Sequence, residues 1–183
     1  MTGPDALDAA VERMLAGDEA AFRTVYRAIQ PLLLRYLAVL VGRGDAEDVA
    51  SEAWAQAFRD LDRFSGDADG FRGWITTIGR HRALDHPRRA RRRPTDERTV
   101  EEMVDLLDDV DVEGDTLGRV HSQAALALVS SLPRDQAEAI MLRTVLGFDA
   151  PTAARILGKR PGAVRAAAHR GLKQLAKRIS EEP

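Results

Sequence analysis

The chain has 183 residues, 44% of them hydrophobic and 31% charged, with a net charge of −2. These are proportions of one globular domain or two small ones, not of a disordered polymer. The sequence offers no apolar run approaching the ~20 residues of a membrane span, its first twenty residues are acidic where a secretory leader is basic and then apolar, and its lack of cysteine excludes disulfides and thiolate metal sites and fits a reducing cytoplasm.

Helical periodicity runs through almost every segment, and no segment alternates with period two. A short helix ends at Gly17, and Asp18 caps the next, in which Phe22, Val25, Tyr26 and Ile29 recur at three and four. Pro31 is expected to open a separate helix, Leu32–Val41, because proline suits a first turn and breaks an interior. Gly42 and Gly44 end it and Asp45 caps a helix with Val49, Ala50, Ala53, Trp54, Ala57, Phe58 and Leu61 on one face. Glu47, Asp48, Ser51, Glu52 and Arg59 lie on the opposite face. Phe64 to Gly70 reads as a loop, followed by a helix with Phe71, Trp74, Ile75, Ile78 and Leu84 that stops near Pro87.

Residues 88–118 have little apolar periodicity and read as a mobile linker, helical in patches around Val104–Leu107. Periodicity returns at Ala124, Leu128 and Leu132, and Pro133 opens a helix closed by Gly147. Pro151–Leu157, a break at Gly158-Lys159-Arg160 and a last helix from Pro161 to about Ile179 complete the chain. The fold class is therefore all-α, two small helical domains joined by an acidic linker, the second containing a helix-turn-helix. Each half is expected to have its own core.

Charge divides the chain more sharply than the total suggests. Residues 1–71 sum to −6, 72–93 to +7, 94–115 to −9 and 155–178 to +8. Two cationic blocks separated by an anionic one suggest two surfaces for a polyanion. In the last helix Val164, Ala167, Ala168, Leu172, Leu175 and Ile179 form the expected buried stripe, while Arg165, His169, Lys173 and Lys177 recur every four residues on another face. An arginine early in such a helix can meet guanine edges, and the later cations suit phosphate. In the first half, Trp74 and Phe71 beside the Arg88–Arg93 cluster suit stacked single-stranded bases, although aromatics at helical spacing also serve as core. The four histidines have no metal-ligand spacing, and there is no phosphate loop or nucleophile elbow.

Taken in order, several short motifs resemble a bacterial RNA polymerase sigma factor of the extracytoplasmic-function group. Gly17-Asp18-Glu19-Ala20-Ala21-Phe22, Asp45-Ala46-Glu47-Asp48-Val49, Phe64-Ser65-Gly66 and Gly73-Trp74-Ile75-Thr76-Thr77-Ile78 look like region 2, and Leu146-Gly147-Phe148 with Pro161-Gly162-Ala163-Val164-Arg165 looks like region 4. The resemblance divides the chain into region 2 over 1–93, an acidic linker over 94–118 and region 4 over 119–183. It implies a cytoplasmic initiation factor, not an enzyme, with no cofactor and no membrane contact of its own. Asp48, Ser51 and Glu52 would dock on the β′ clamp helices of RNA polymerase core. Phe64, Ser65, Gly66, Trp74, Thr77, Arg80, His81, Arg88 and Arg89 would hold and open the −10 promoter element. Lys159, Arg160, Arg165, Ala166, His169, Arg170 and Lys173 would read the −35 DNA while the β flap grips the other side. It also implies an anti-sigma partner. Ser51, His81, Ala163, Ala166 and Ala167 depart from the family's usual polar residues at those positions. Two other readings of the same residues are a stand-alone helix-turn-helix regulator and an adaptor that binds only protein.

Overall fold

The computed structural model describes residues 4–86 and 124–181, and every regular element among them is helical. Helices α1 (Pro4–Leu15), α2 (Glu19–Val41), α3 (Arg43–Arg59) and α4 (Ala68–Asp85) build the first half, with a 3₁₀ turn at Leu61–Arg63. The second half comprises α5 (124–130), α6 (Arg134–Ile140), which runs into a π-helical turn at Met141–Val145, α7 (Ala150–Leu157) and α8 (Pro161–Glu181). The expected linker, including Val104–Leu107, Arg88 and Arg89, lies outside the described residues.

The local chemistry explains most boundaries. Asp18 Oδ1 accepts hydrogen bonds from the amides of Ala20 and Ala21, satisfying two donors that the start of α2 leaves free. Asp67 does the same for Gly70 and Asp149 for Thr152. Gly158 sits at φ +63, a left-handed C-cap that tightly joins α7 to α8. Asp8 of α1 accepts from the Ala68 amide at 2.8 Å, tying the first helix to the start of the fourth.

Several expectations need correction. Pro31 lies inside one continuous 23-residue α2 instead of opening a new helix. The lost N–H bond costs a few kcal/mol, but Val25, Ile29, Leu33, Tyr36 and Leu37 on both sides of it are buried, and their burial at ~1.5–3 kcal/mol each outweighs that cost. By length and composition alone this helix is also apolar enough to cross a membrane; here one stripe of it, Ala21, Val25, Ile29, Leu33, Tyr36 and Leu37, is buried in the core. Asp45 falls within the first turn of α3, which follows Gly42 directly at φ +84 and has no side-chain cap. Helix α4 starts at Ala68, so only 64–67 of the expected loop is irregular. Phe58 is 65% exposed, and Leu84, Leu172 and Ile179 are exposed as well. Of the stripe expected on α8, Val164 and Ala167 are buried and Ala168 and Leu175 half-buried.

The largest correction concerns the core. Instead of two separate cores there is one continuous cluster, which takes Leu33, Leu37, Ile75 and Ile78 from the first half and Ala139, Ile140, Met141, Leu142 and Phe148 from the second. The apolar periodicity of a single helix identifies its buried face but not which other helix covers it.

Candidate nucleic-acid interface

Two surfaces carry the residues singled out above. The first is built on α4 and the turn before it. Phe64 stacks on Trp74 with ring centroids 5.2 Å apart and planes inclined by 29°, and meets buried Phe71 edge-to-face at 5.2 Å. Ser65 and Gly66 are exposed, with Gly66 at φ +149, a conformation that favours glycine. Trp74 is only partly buried, so one part of the indole completes the core and another stays accessible. Thr77 lies one turn after Gly73, whose carbonyl accepts from its hydroxyl. His81 is exposed.

Arg80 behaves differently from its neighbours. Its side chain is 15% exposed and is directed at Glu138 of α6, whose own side chain is 3% exposed. Arg80 Nε donates to Glu138 Oε1 at 2.7 Å and Nη2 donates to Oε2 at 3.3 Å. Tyr36 Oη donates to the same Oε1 at 3.0 Å, and Arg134 Nε lies 3.6 Å from Oε2. Burial lowers the affinity of the Arg80 guanidinium for its proton, but the hydrogen bond and charge of Glu138 outweigh that, so its pKa rises above the usual value. Burial and then Glu138 hold the Tyr36 hydroxyl well above its usual pKa.

Beside this ion pair the start of α4 and the start of α7 enclose a cleft of about 570 Å³, lined by Arg72, Trp74, Thr77, Phe148, Thr152 and Arg155 among others. The Arg72 guanidinium carbon lies 5.0 Å from the centre of the Phe148 ring, within cation–π range.

The second surface is α8. Val164 and Ala167 turn inward, and Lys159, Arg160, Arg165, Ala166, His169, Arg170 and Lys173 are all exposed. Arg170 is 3.9 Å from Asp135 and Arg178 donates to Ser131 Oγ, so both also tie α8 to the rest of the second half. Gly171 is where α8 crosses α6: a β-carbon there would lie 2.7 Å from Ile140 Cδ1 and 3.2 Å from Gln136 Cβ. A helix of this kind, entered through a left-handed glycine and cationic on its free face, can lie in a major groove. On α3, Asp48, Ser51 and Glu52 are exposed on the face opposite buried Val49, Ala53 and Trp54.

Sequence reasoning missed Glu138, Tyr36 and Phe148 as partners of the α4 face. One signal was present: Glu138 stands between Ala137 and Ala139-Ile140-Met141, an acid inside an apolar run, and a buried acid needs a paired cation.

A family model described as Sigma-70 region 2 matches residues 25–93, and one described as Sigma-70, region 4 matches residues 122–175. The ECF RNA polymerase sigma factor BldN of Streptomyces coelicolor is 31% identical over 94% of this chain and 65% of its own length; this chain thus spans slightly less than two thirds of that relative. The ECF RNA polymerase sigma factor ShbA of Streptomyces griseus is 31% identical over 92% of this chain and 93% of its own. Among solved structures, the sigma factor RpoE in complex with the anti-sigma factor NepR from Bartonella quintana superposes with a TM-score of 0.66 at 22% identity, covering 88% of this chain and 98% of that one.

Proposed function

This chain belongs to the sigma-70 family, in its extracytoplasmic-function group, and from that premise we propose that it directs RNA polymerase core to a small set of promoters and starts transcription there. The observation that carries the reading is the pairing of both matched regions, 25–93 and 122–175, in one chain, because a stand-alone helix-turn-helix regulator needs only the second. In this reading region 2 extends over 1–93, the acidic linker over 94–118 and region 4 over 119–183.

Asp48, Ser51 and Glu52 dock on the β′ clamp helices. The stacked Phe64–Trp74 pair, with Ser65, Gly66, Thr77, Arg80, His81, Arg88 and Arg89, holds the melted −10 strand. Aromatic rings stack on unpaired bases at ~1–3 kcal/mol each, and arginines follow the backbone. Lys159, Arg160, Arg165, Ala166, His169, Arg170 and Lys173 approach the −35 groove, with the β flap on the other side of region 4. The protein performs no bond chemistry of its own, acts in the cytoplasm beside polymerase, and is held in check by an anti-sigma partner, as its structural neighbour RpoE is found bound to one.

Transcription from genomic promoter fragments, with core polymerase and with the chain added or omitted, tests the proposal. Specific starts only when both are present support it. Tight operator binding by a dimer without polymerase would point instead to a stand-alone regulator.

A further inference from the structure

We infer that an exposed apolar strip on the C-terminal half of α8 is a docking surface for the chain's own acidic segment, residues 100–112, which thereby competes with DNA for the basic side chains beside the strip. The inference rests on the sigma-factor reading for what α8 binds, but not for the contact itself.

Leu172 and Ile179 are 49% and 59% exposed, and Ala176 between them is exposed as well. Spaced by four and three, the three residues share one strip of the helix. Basic side chains border it: His169 stands three residues before Leu172 and Lys173 three before Ala176, with Arg165 a turn earlier, all exposed. Single exposed aliphatics are ordinary on a protein surface. What distinguishes this strip is its match to a second stretch of the same chain. Residues 100–112 carry Val100, Met103, Val104, Leu107 and Val110 at the same spacing of three and four, and between them six acids and no basic residue.

Apolar residues with an acidic border thus face apolar residues with a basic one, the complementarity that steers two surfaces together and fixes their partner. A second copy of α8 fits the strip badly, because residues 155–178, at +8, would then meet the same charge. The connection is long enough. Twelve residues separate 112 from the start of α5 at 124, a reach of up to roughly 40 Å, whereas the strip from Leu172 to Ile179 is only ~10 Å long. The turn after α5 already touches α8, since Ser131 Oγ accepts a hydrogen bond from Arg178. Because Arg165, His169 and Lys173 also belong to the proposed −35 face, the segment and DNA exclude each other. A docked form that outnumbers the undocked one by about ten to one weakens DNA binding by the same factor.

Leu107→Asp in the full chain separates docking from simple charge, because it adds an acid while removing an apolar contact. Docking predicts that the variant binds a fluorescent DNA duplex about tenfold more tightly than the parent; repulsion between the linker acids and DNA predicts weaker binding. Leu172→Gln, at an exposed position that the fold does not need, should tighten binding by a similar factor, and the two substitutions together no more than either alone. Weaker or unchanged binding in Leu107→Asp, or tightening that simply adds, would overturn the inference. A direct measure of contact is also accessible. The chain has no cysteine, so Asp109→Cys introduces the only thiol, and a nitroxide placed there should broaden the amide resonances of residues 172–179 in the monomer. Broadening that bypasses those residues, or a dimer that Leu172→Gln dissociates, would overturn the inference as well, the latter by making a second copy the occupant. If the chain fails to start transcription with core polymerase, the sigma-factor reading has failed, whereas the duplex and nitroxide results still decide whether residues 100–112 lie on α8.

Discussion

Arg80 and Glu138, 58 residues apart in the chain, meet through both carboxylate oxygens at 2.7 and 3.3 Å and are nearly closed off from solvent. A buried pair of this kind adds little net stability compared with apolar residues of similar size, but removing one member alone leaves an uncompensated charge and costs ~3–5 kcal/mol. Glu138→Ala is therefore expected to lower stability by ~3–5 kcal/mol. The double substitution Arg80→Met with Glu138→Leu should recover most of it. Urea denaturation of the three proteins checks this; a double variant no more stable than Glu138→Ala would contradict the argument.

Tyr36 provides a pH signature for the same contact. Burial first, and then the Glu138 carboxylate, raise its folded pKa well above the ordinary 10.0. The folded chain thus favours the neutral phenol more than the unfolded chain does. That contribution is complete below pH 10 and is lost as pH rises from there through the folded value. Tyr36→Phe keeps the ring but has neither the proton nor the bond to Glu138. It should be about 1 kcal/mol less stable at neutral pH and show a smaller decline above pH 10. Denaturant midpoints followed across that alkaline range measure both effects; parallel curves for the two proteins would rule out Tyr36 as the group responsible.

Within a helix, the sequence announces its structure well. Asp18 caps, Gly158 turns, and Val49, Ala53 and Trp54 are buried opposite Asp48, Ser51 and Glu52, because caps, turns and amphipathic stripes are decided by residues three or four apart. Pro31 misleads for the reason that its penalty is local while the compensating burial of Leu33, Tyr36 and Leu37 is tertiary. Arg80 illustrates the same limit at the candidate site. Its position beside Trp74 and Thr77 is legible from helical spacing, but its engagement depends on Glu138, far along the chain. Leu172 and Ile179 fit the period of a buried stripe, yet both remain exposed, whereas Gly171 beside Leu172 is the residue that faces α6.

Gly171 and Gly162, on the same helix, predict opposite outcomes for one substitution. Gly171 is buried at the crossing with α6, where a methyl group would meet Ile140 Cδ1 at 2.7 Å and Gln136 Cβ at 3.2 Å. Alanine there gains ~1 kcal/mol in helix preference but overpacks the crossing at a cost of ~1–3 kcal/mol. At Gly162 nothing lies within 4 Å, and only the gain applies. Thermal unfolding should find Gly171→Ala less stable than the parent and Gly162→Ala more stable. A stabilised Gly171→Ala would mean that Ile140 swings aside freely and that α6 and α8 are packed less tightly than described.

Along α8, position should separate base reading from phosphate contact. Arg165 lies in the second turn and Lys173 two turns further on, both exposed on the face turned away from buried Val164 and Ala167. A recognition helix enters the groove by its early residues, so a guanidinium at 165 can reach base edges while the ammonium at 173 lies nearer the backbone. For holoenzyme assembled with core polymerase, Arg165→Ala should weaken promoter binding by ~1–3 kcal/mol and flatten the preference at one −35 position. Lys173→Ala should weaken binding about equally on every template and reduce the slope of log affinity against log salt by about one. Binding isotherms on promoter fragments with altered −35 bases, repeated at several salt concentrations, distinguish the two. If both variants lose the same amount on all templates, the helix grips DNA by charge alone, as alanine at 163, 166 and 167 would favour, and promoter choice then rests on the −10 surface around Phe64 and Trp74.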